Sequence, residues 1–278
     1  MIDPPRDISA TLARIADALD RLAPPPPPTA DPTAASAYVW SGTELRAVES
    51  LRAQPLDRLL GIDAQKAAVL ANSDRHARGL PAHDILLWGS RGMGKSALVK
   101  SVHRALTGNG LGLVEVARDD ITTLPALFRR LRGVDRRFLL FIDDLSFEAN
   151  ESEYKALRSV LEGGVEARPD NVRLYVTSNR RHLVPRDAAE NEAATAINPR
   201  DVIDDRLALS DRFGLSLGFH ACDQPTYLAI VEGYAAHFGL PFDEHDALAW
   251  QVGRGSRSGR VAWQYVQELA GRAGKTLA

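Results

Sequence analysis

Gly89-Ser90-Arg91-Gly92-Met93-Gly94-Lys95-Ser96 follows the apolar run Ile85-Leu86-Leu87-Trp88 and leads directly into a helical stretch over residues 97–106. It fits G-x-x-x-x-G-K-[ST] with the flanks that pattern needs, a strand before it and a helix after it. Glycines let the backbone curl so that successive N–H groups face one centre, and the helix N-terminus adds a favourable dipole, which makes a phosphate cradle. In such a cradle Lys95 neutralises β and γ phosphates, and the Ser96 hydroxyl completes the coordination of a bridging Mg²⁺. The competing reading is a glycine-rich turn that matches by accident, and the two flanks argue against it.

Downstream, Phe138-Leu139-Leu140-Phe141-Ile142-Asp143-Asp144 is an apolar run ending in two carboxylates. A buried strand that delivers acids to the carboxyl edge of a parallel sheet places them where ligands bind. Asp143 is then expected to hold Mg²⁺ directly or through water, and Asp144 to orient the attacking water. Taken alone the pair reads sooner as a cap for the next helix or turn, and the cradle upstream reverses that. Tyr175-Val176-Thr177-Ser178-Asn179 ends another apolar run with polar groups, and the neutral amide of Asn179 is suited to hold water between the acid and the γ-phosphate. Outside that series of strands, an Asn at a strand end is an ordinary turn residue.

Around these motifs, helical patterns alternate with short apolar runs at residues 84–88, 111–116, 138–142, 172–177 and 215–219. Five buried strands separated by helices imply right-handed crossovers and a parallel sheet covered on both faces. After Cys222 the pattern becomes wholly helical, over residues 224–238, 243–252 and 260–272, as for a small helical lid. The expected division is an amphipathic helix over residues 1–23, a proline-rich linker over 24–37, an α/β nucleotide-binding domain over 38–221 and a helical lid over 222–278. In the first of these, Ile8, Leu12, Ile15, Leu19 and Leu22 recur at spacings of four and three. That is one apolar stripe, suited either to docking on the chain's own domain or to self-association or a partner.

The chain's 278 residues accommodate one main core, 45% apolar composition makes that core feasible, and a formal charge of -2 gives no global basic field to attract nucleic acid or anionic lipid. Cys222 is the single cysteine, so an internal disulfide or multi-cysteine metal site cannot form within one chain, which fits a cytoplasmic protein. No apolar run approaches the roughly 20 residues that span a bilayer, so no membrane partner is expected.

Cradle, acid pair and strand-end Asn occur in this order, followed by Ser210-Asp211-Arg212-Phe213-Gly214 and by Gly259-Arg260 in the helical part. In this the chain resembles the AAA+ ATPases, a class of P-loop NTPases. It is more closely similar to the bacterial AAA+ family known as domain of unknown function 815, through Ile142-Asp143-Asp144-Leu145-Ser146-Phe147, Glu162-Gly163-Gly164-Val165-Glu166-Ala167-Arg168-Pro169-Asp170-Asn171 and Thr177-Ser178-Asn179-Arg180-Arg181-His182-Leu183. The similarity runs from about Leu56 to the C-terminus. It implies ATP with Mg²⁺ as the bound species and hydrolysis of ATP within a homo-oligomer, a ring or filament with a hexamer among the options, acting on a client protein or DNA that the sequence does not name. By the same resemblance Lys95 and Ser96 are Walker A residues, and Asp143 and Asp144 are Walker B. Asn179 is then sensor 1, Arg212 the arginine finger and Arg260 sensor 2. Gly61 and Ile62 close over the adenine, and Gly89, Ser90, Arg91, Gly92, Met93, Gly94 and Leu98 complete the nucleotide contacts.

AAA+ motors commonly carry Asp-Glu where this chain has Asp143-Asp144, and the missing methylene sets the carboxylate farther from the water. Slow turnover follows. Acid pairs ending in Asp also occur in the replication-initiator and helicase-loader branches, so the rival reading is an ATP-gated adaptor or loader with little hydrolysis. For Arg212 the bland reading is a surface pair with Asp205 or Asp211, and Arg206 is the next candidate finger. The polar stretch 180–199 is either a contact loop or a solvated insertion. The arginines at 129, 130, 132, 136 and 137 read as a solvated helix end rather than a nucleic-acid contact.

Overall fold

The computed structural model describes residues 8–22, 29–145, 151–162, 168–179 and 211–277. Its strands in chain order are β1 (Ala37–Trp40), β2 (Leu45–Ala47), β3 (Ile85–Gly89), β4 (Gly112–Val116), β5 (Phe138–Ile142), β6 (Val172–Ser178) and β7 (Leu215–Phe219). The α-helices are α1 (Ile8–Leu22), α2 (Asp63–Ala77), α3 (Lys95–Leu106), α4 (Leu124–Leu131), α5 (Glu151–Glu162), α6 (Gln224–His237), α7 (Glu244–Arg254) and α8 (Gly259–Arg272). The strands make one seven-stranded sheet in the order β2-β1-β4-β5-β6-β3-β7. Every pairing is parallel except the antiparallel β1–β2 hairpin.

The five expected strands are the contiguous run from β4 to β7, and the hairpin is an addition that periodicity did not reveal. Its apolar run, Tyr38-Val39-Trp40, is too short to stand out, yet Tyr38 and Trp40 are among the largest fully buried side chains. Trp40 Nε1 donates to Thr123 Oγ1 at 2.8 Å, and Tyr38 Oη donates to the Asp31 carbonyl at 2.9 Å. The chain therefore joins the domain earlier than the expected linker allows. Ala30 N donates to Leu45 O at 2.7 Å, and Leu45 N donates to Thr29 Oγ1 at 3.1 Å, so residues 29–37 belong to the folded unit. On α1, Leu12 and Ile15 are exposed (59% and 50%).

Burial on both faces follows from the alternation of side chains along a strand. Leu86, Leu140, Leu174 and Val176 enter the cluster under α4 and α5. Ile85, Leu87, Leu139, Phe141 and Tyr175 enter the one under α2 and α3. The lid has its own cluster, built around Tyr227, Ile230, Val231, Tyr265 and Val266. Its three helices start at side-chain caps, with Asp223, Asp243 and Ser258 accepting from Thr226 N, Asp246 N and Val261 N. The basic cluster near α4 is partly structural: Arg136 donates to the carbonyls of Gly110, Pro32 and Ala35.

His76, near the end of α2, is buried and its Nε2 donates to Phe138 O at 3.1 Å. Burial, then the Arg173 guanidinium, pushes its pKa down from 6.5 to about 4. The unfolded chain therefore takes up this proton first as pH falls. The stability held by neutral His76 is complete above pH 6.5 and drains away between there and about pH 4. Urea titrations at about pH 7 and pH 4.5 are expected to show wild type losing roughly 2–3 kcal/mol more than His76→Gln between the two conditions.

Candidate functional site

The strand order places β5, β6 and β3 side by side, so three segments distant in sequence end next to one another at the carboxyl edge. From β3 the chain turns through Gly89, Gly92 and Gly94, all at positive φ (119°, 75° and 87°), before α3 begins at Lys95. A side chain at Gly89 is excluded twice, by its φ and by the Phe219 carbonyl oxygen, which a Cβ there would meet at 2.1 Å.

Lys95 is buried and reaches back across the turn. Its Nζ donates to Gly89 O at 2.8 Å, Ser90 O at 2.9 Å and Asn179 Oδ1 at 3.2 Å. Burial pulls its pKa below the ordinary lysine value, the Asp144 and Asp143 carboxylates oppose this, and Arg260 and Arg91 add to the lowering. Three cations and two carboxylates thus share one basin. Ser96 Oγ donates to Asp143 Oδ1 at 2.6 Å, and Thr177 Oγ1 donates to the same oxygen at 2.5 Å. Asp144 has φ 51°, positive for a non-glycine residue, and its carboxylate accepts from Asn179 Nδ2. A hydroxyl beside a carboxylate is a ligand set that suits Mg²⁺, which takes one or two protein oxygens and keeps the rest for phosphate and water. Among the described residues no group of three or more His, Cys, Asp or Glu is placed to hold a metal ion.

These side chains line a cavity of about 510 Å³ between the sheet edge and the lid. Ile62, Arg91, Gly92, Met93, Gly94, Lys95, Ser96, Asp143, Asp144, Asn179 and Arg260 all line it. Gly61, Gly89, Ser90 and Leu98, expected among the nucleotide contacts, do not line it, and Leu98 is wholly buried in the core on α3. Arg212 lies elsewhere: its Nη2 pairs with Glu162 Oε1 at 2.7 Å, and Arg158 Nε reaches the same oxygen at 2.7 Å. Asp205 and Arg206 fall outside the described residues, as does the stretch 180–199.

Sequence reasoning missed the wall that the lid supplies. Ile230 and Tyr234, one turn apart on α6, and Trp263 on α8 line the cavity together with Leu59 and Leu60. Tyr234 and Trp263 meet edge to face at 5.4 Å. The lid also touches the glycine turn itself, where Arg260 N donates to Gly92 O at 3.0 Å. A methyl at Gly92 would sit 2.8 Å from Ser258 Oγ.

The family described as "Protein of unknown function (DUF815)" matches residues 33–273. No curated protein matches the chain. Among solved structures it is similar to the Thermotoga maritima RuvB Holliday junction branch migration motor, at 19% identity and TM-score 0.52 over 81% of this chain and 68% of that one. It is also similar to the Aeropyrum pernix ORC1 protein solved in complex with DNA, at 15% identity and TM-score 0.56 over 81% of this chain and 66% of that one. These likenesses give the fold, the α/β P-loop architecture of AAA+ proteins with C-terminal helices.

Gly89→Ala is expected to destabilise the protein by on the order of 3 kcal/mol, read as a lowered melting temperature. Gly108→Ala, where an added Cβ meets nothing within 4 Å, should melt close to wild type.

Proposed function

This chain belongs to the DUF815 family, and we propose that it is an ATPase that binds Mg·ATP and hydrolyses it between subunits of a homo-oligomer. Its nucleotide state would control assembly or the remodelling of a client. The observation that carries this reading is the convergence of Lys95 and Ser96 from one segment with Asp143, Asp144 and Asn179 from two others on one cavity, with Ser96 Oγ 2.6 Å from Asp143 Oδ1.

In this reading the phosphates lie against the glycine turn, where Lys95 exchanges its carbonyl partners for phosphate oxygens, and Arg91 and Arg260 add positive charge on the lid side. Ser96 and Asp143 would hold Mg²⁺, which would supply charge neutralisation at the phosphates. Asp144 polarises the attacking water and Asn179 orients it, which is the positioning that phosphoryl transfer requires. Leu59, Leu60, Ile62, Ile230 and Tyr234 offer an apolar slot for the base. Gly92 bonded to Arg260 gives the lid a direct line to the phosphate turn, so closure and phosphate occupancy are coupled.

Arg212 is proposed as the finger that acts on a neighbour's ATP. Its bond to Glu162 is partly exposed, and pairs of that kind contribute about 0–1 kcal/mol. An arginine finger contributes about 10³-fold or more in rate, on the order of 4 kcal/mol, so the internal pair does not hold the side chain back.

A second reading, an ATP-gated adaptor or loader with little hydrolysis, is favoured by one observation. Asp144 is short, sits in a left-handed conformation and has its carboxylate engaged by Asn179, which restrains it as a base.

Phosphate release and mass-resolved assembly, each measured with and without ATP, test both readings. Lys95→Ala is expected to lose ATP binding. Arg212→Ala is expected to bind ATP but to lose about 10³-fold of assembly-dependent turnover. Wild-type turnover in Arg212→Ala overturns the finger, and ATP-driven assembly with negligible phosphate release selects the adaptor.

A further inference from the structure

Thr177 is the last residue but one of β6, and no role attaches to it in the reading above. It is 1% exposed, lies on β6 and lines the cavity. Its hydroxyl has one proton, and that proton goes to Asp143 Oδ1 at 2.5 Å. The Thr177 hydroxyl oxygen in turn accepts from the backbone N–H of Asp144 at 2.8 Å. Its backbone carbonyl accepts from Leu145 N at 2.8 Å. One residue thus holds three consecutive residues of the β5 exit: a carboxylate, the peptide of the residue at φ 51°, and the residue that anchors the segment in the core.

We propose that Thr177 is a positioning residue for the acid pair, setting the carboxylate of Asp143 for the cation and holding the left-handed turn that aims Asp144. The inference rests on the reading of Asp143 and Ser96 as the Mg²⁺ ligands. Its physical basis is commitment. A hydroxyl that donates to one neighbour and accepts from the next has no rotational freedom left, so both acids are fixed relative to β6. Asn179, two residues further on and just past the end of β6, contacts Asp144 and Lys95, so the register of β6 against β5 bears on all of these groups at once. Valine at position 177 keeps the shape of the side chain and removes both hydroxyl bonds. Serine keeps both bonds and removes only a methyl.

The test is the affinity of the full chain for a fluorescent ATP analogue, mant-ATP, measured in excess Mg²⁺ and again in EDTA, for wild type, Thr177→Val, Thr177→Ala and Thr177→Ser. The expected result is that Mg²⁺ tightens binding to wild type and to Thr177→Ser alike. In Thr177→Val and Thr177→Ala about tenfold of that gain is lost, while affinity in EDTA stays at the wild-type value. The alanine variant answers the question if valine does not fold. A Mg²⁺-dependent gain in Thr177→Val or Thr177→Ala equal to that of wild type overturns the inference, as does a Thr177→Ser variant that behaves like valine. A wild type whose affinity ignores Mg²⁺ overturns the reading of the site itself, which is a different failure.

Discussion

A carboxylate at the edge of a buried sheet has to be met by donors, and at Asp143 two hydroxyls meet one oxygen. Ser96 comes from the start of α3 and Thr177 from the end of β6, so this single carboxylate oxygen ties together three segments more than thirty residues apart in the chain. The cavity, its charge and the aim of its side chains all depend on that tie. It is possible only because β5, β6 and β3 are neighbours in the sheet, an order in which the crossover helices lie on both faces and leave the carboxyl edge open.

The electrostatics of the cavity follow from the same arrangement. The buried Lys95 ammonium is met by two backbone carbonyls and by the amide oxygen of Asn179, while the amide nitrogen of Asn179 is bonded to Asp144. Asn179 therefore links the cation to the acid. A ligand that draws Lys95 away changes the partners of Asn179 and, through it, those of Asp144. The lid takes part because the Gly92 carbonyl is bonded to the backbone of Arg260, at the N-terminal end of α8. Any movement of the turn around a ligand is felt at the first turn of a lid helix.

The local motifs were legible because their physics is local. Glycines at 89, 92 and 94 take conformations that other residues resist, and an apolar run ending in Asp143-Asp144 has to leave a buried strand where acids can be solvated. The hairpin at the far edge was not legible: three apolar residues carry no period, and only pairing with β4 and burial of Trp40 reveal them as a strand. Nor did the proline-rich composition show where the tether ends, since Thr29 and Ala30 are held by hydrogen bonds to Leu45, sixteen and fifteen residues on.

By itself the sequence determined the glycine turn, the five parallel strands, the acid pair and the helical C-terminal part, because each is encoded within a few consecutive residues. The tertiary structure alone decided that Thr177 underpins both acids, that Tyr234 and Trp263 close the cavity from the lid, and that Arg212 rests against Glu162. Those contacts join residues whose separation along the chain carries no pattern. They depend on which strands become neighbours and on how the lid seats over the sheet, and that is settled by burial of the whole core rather than by any one stretch of it.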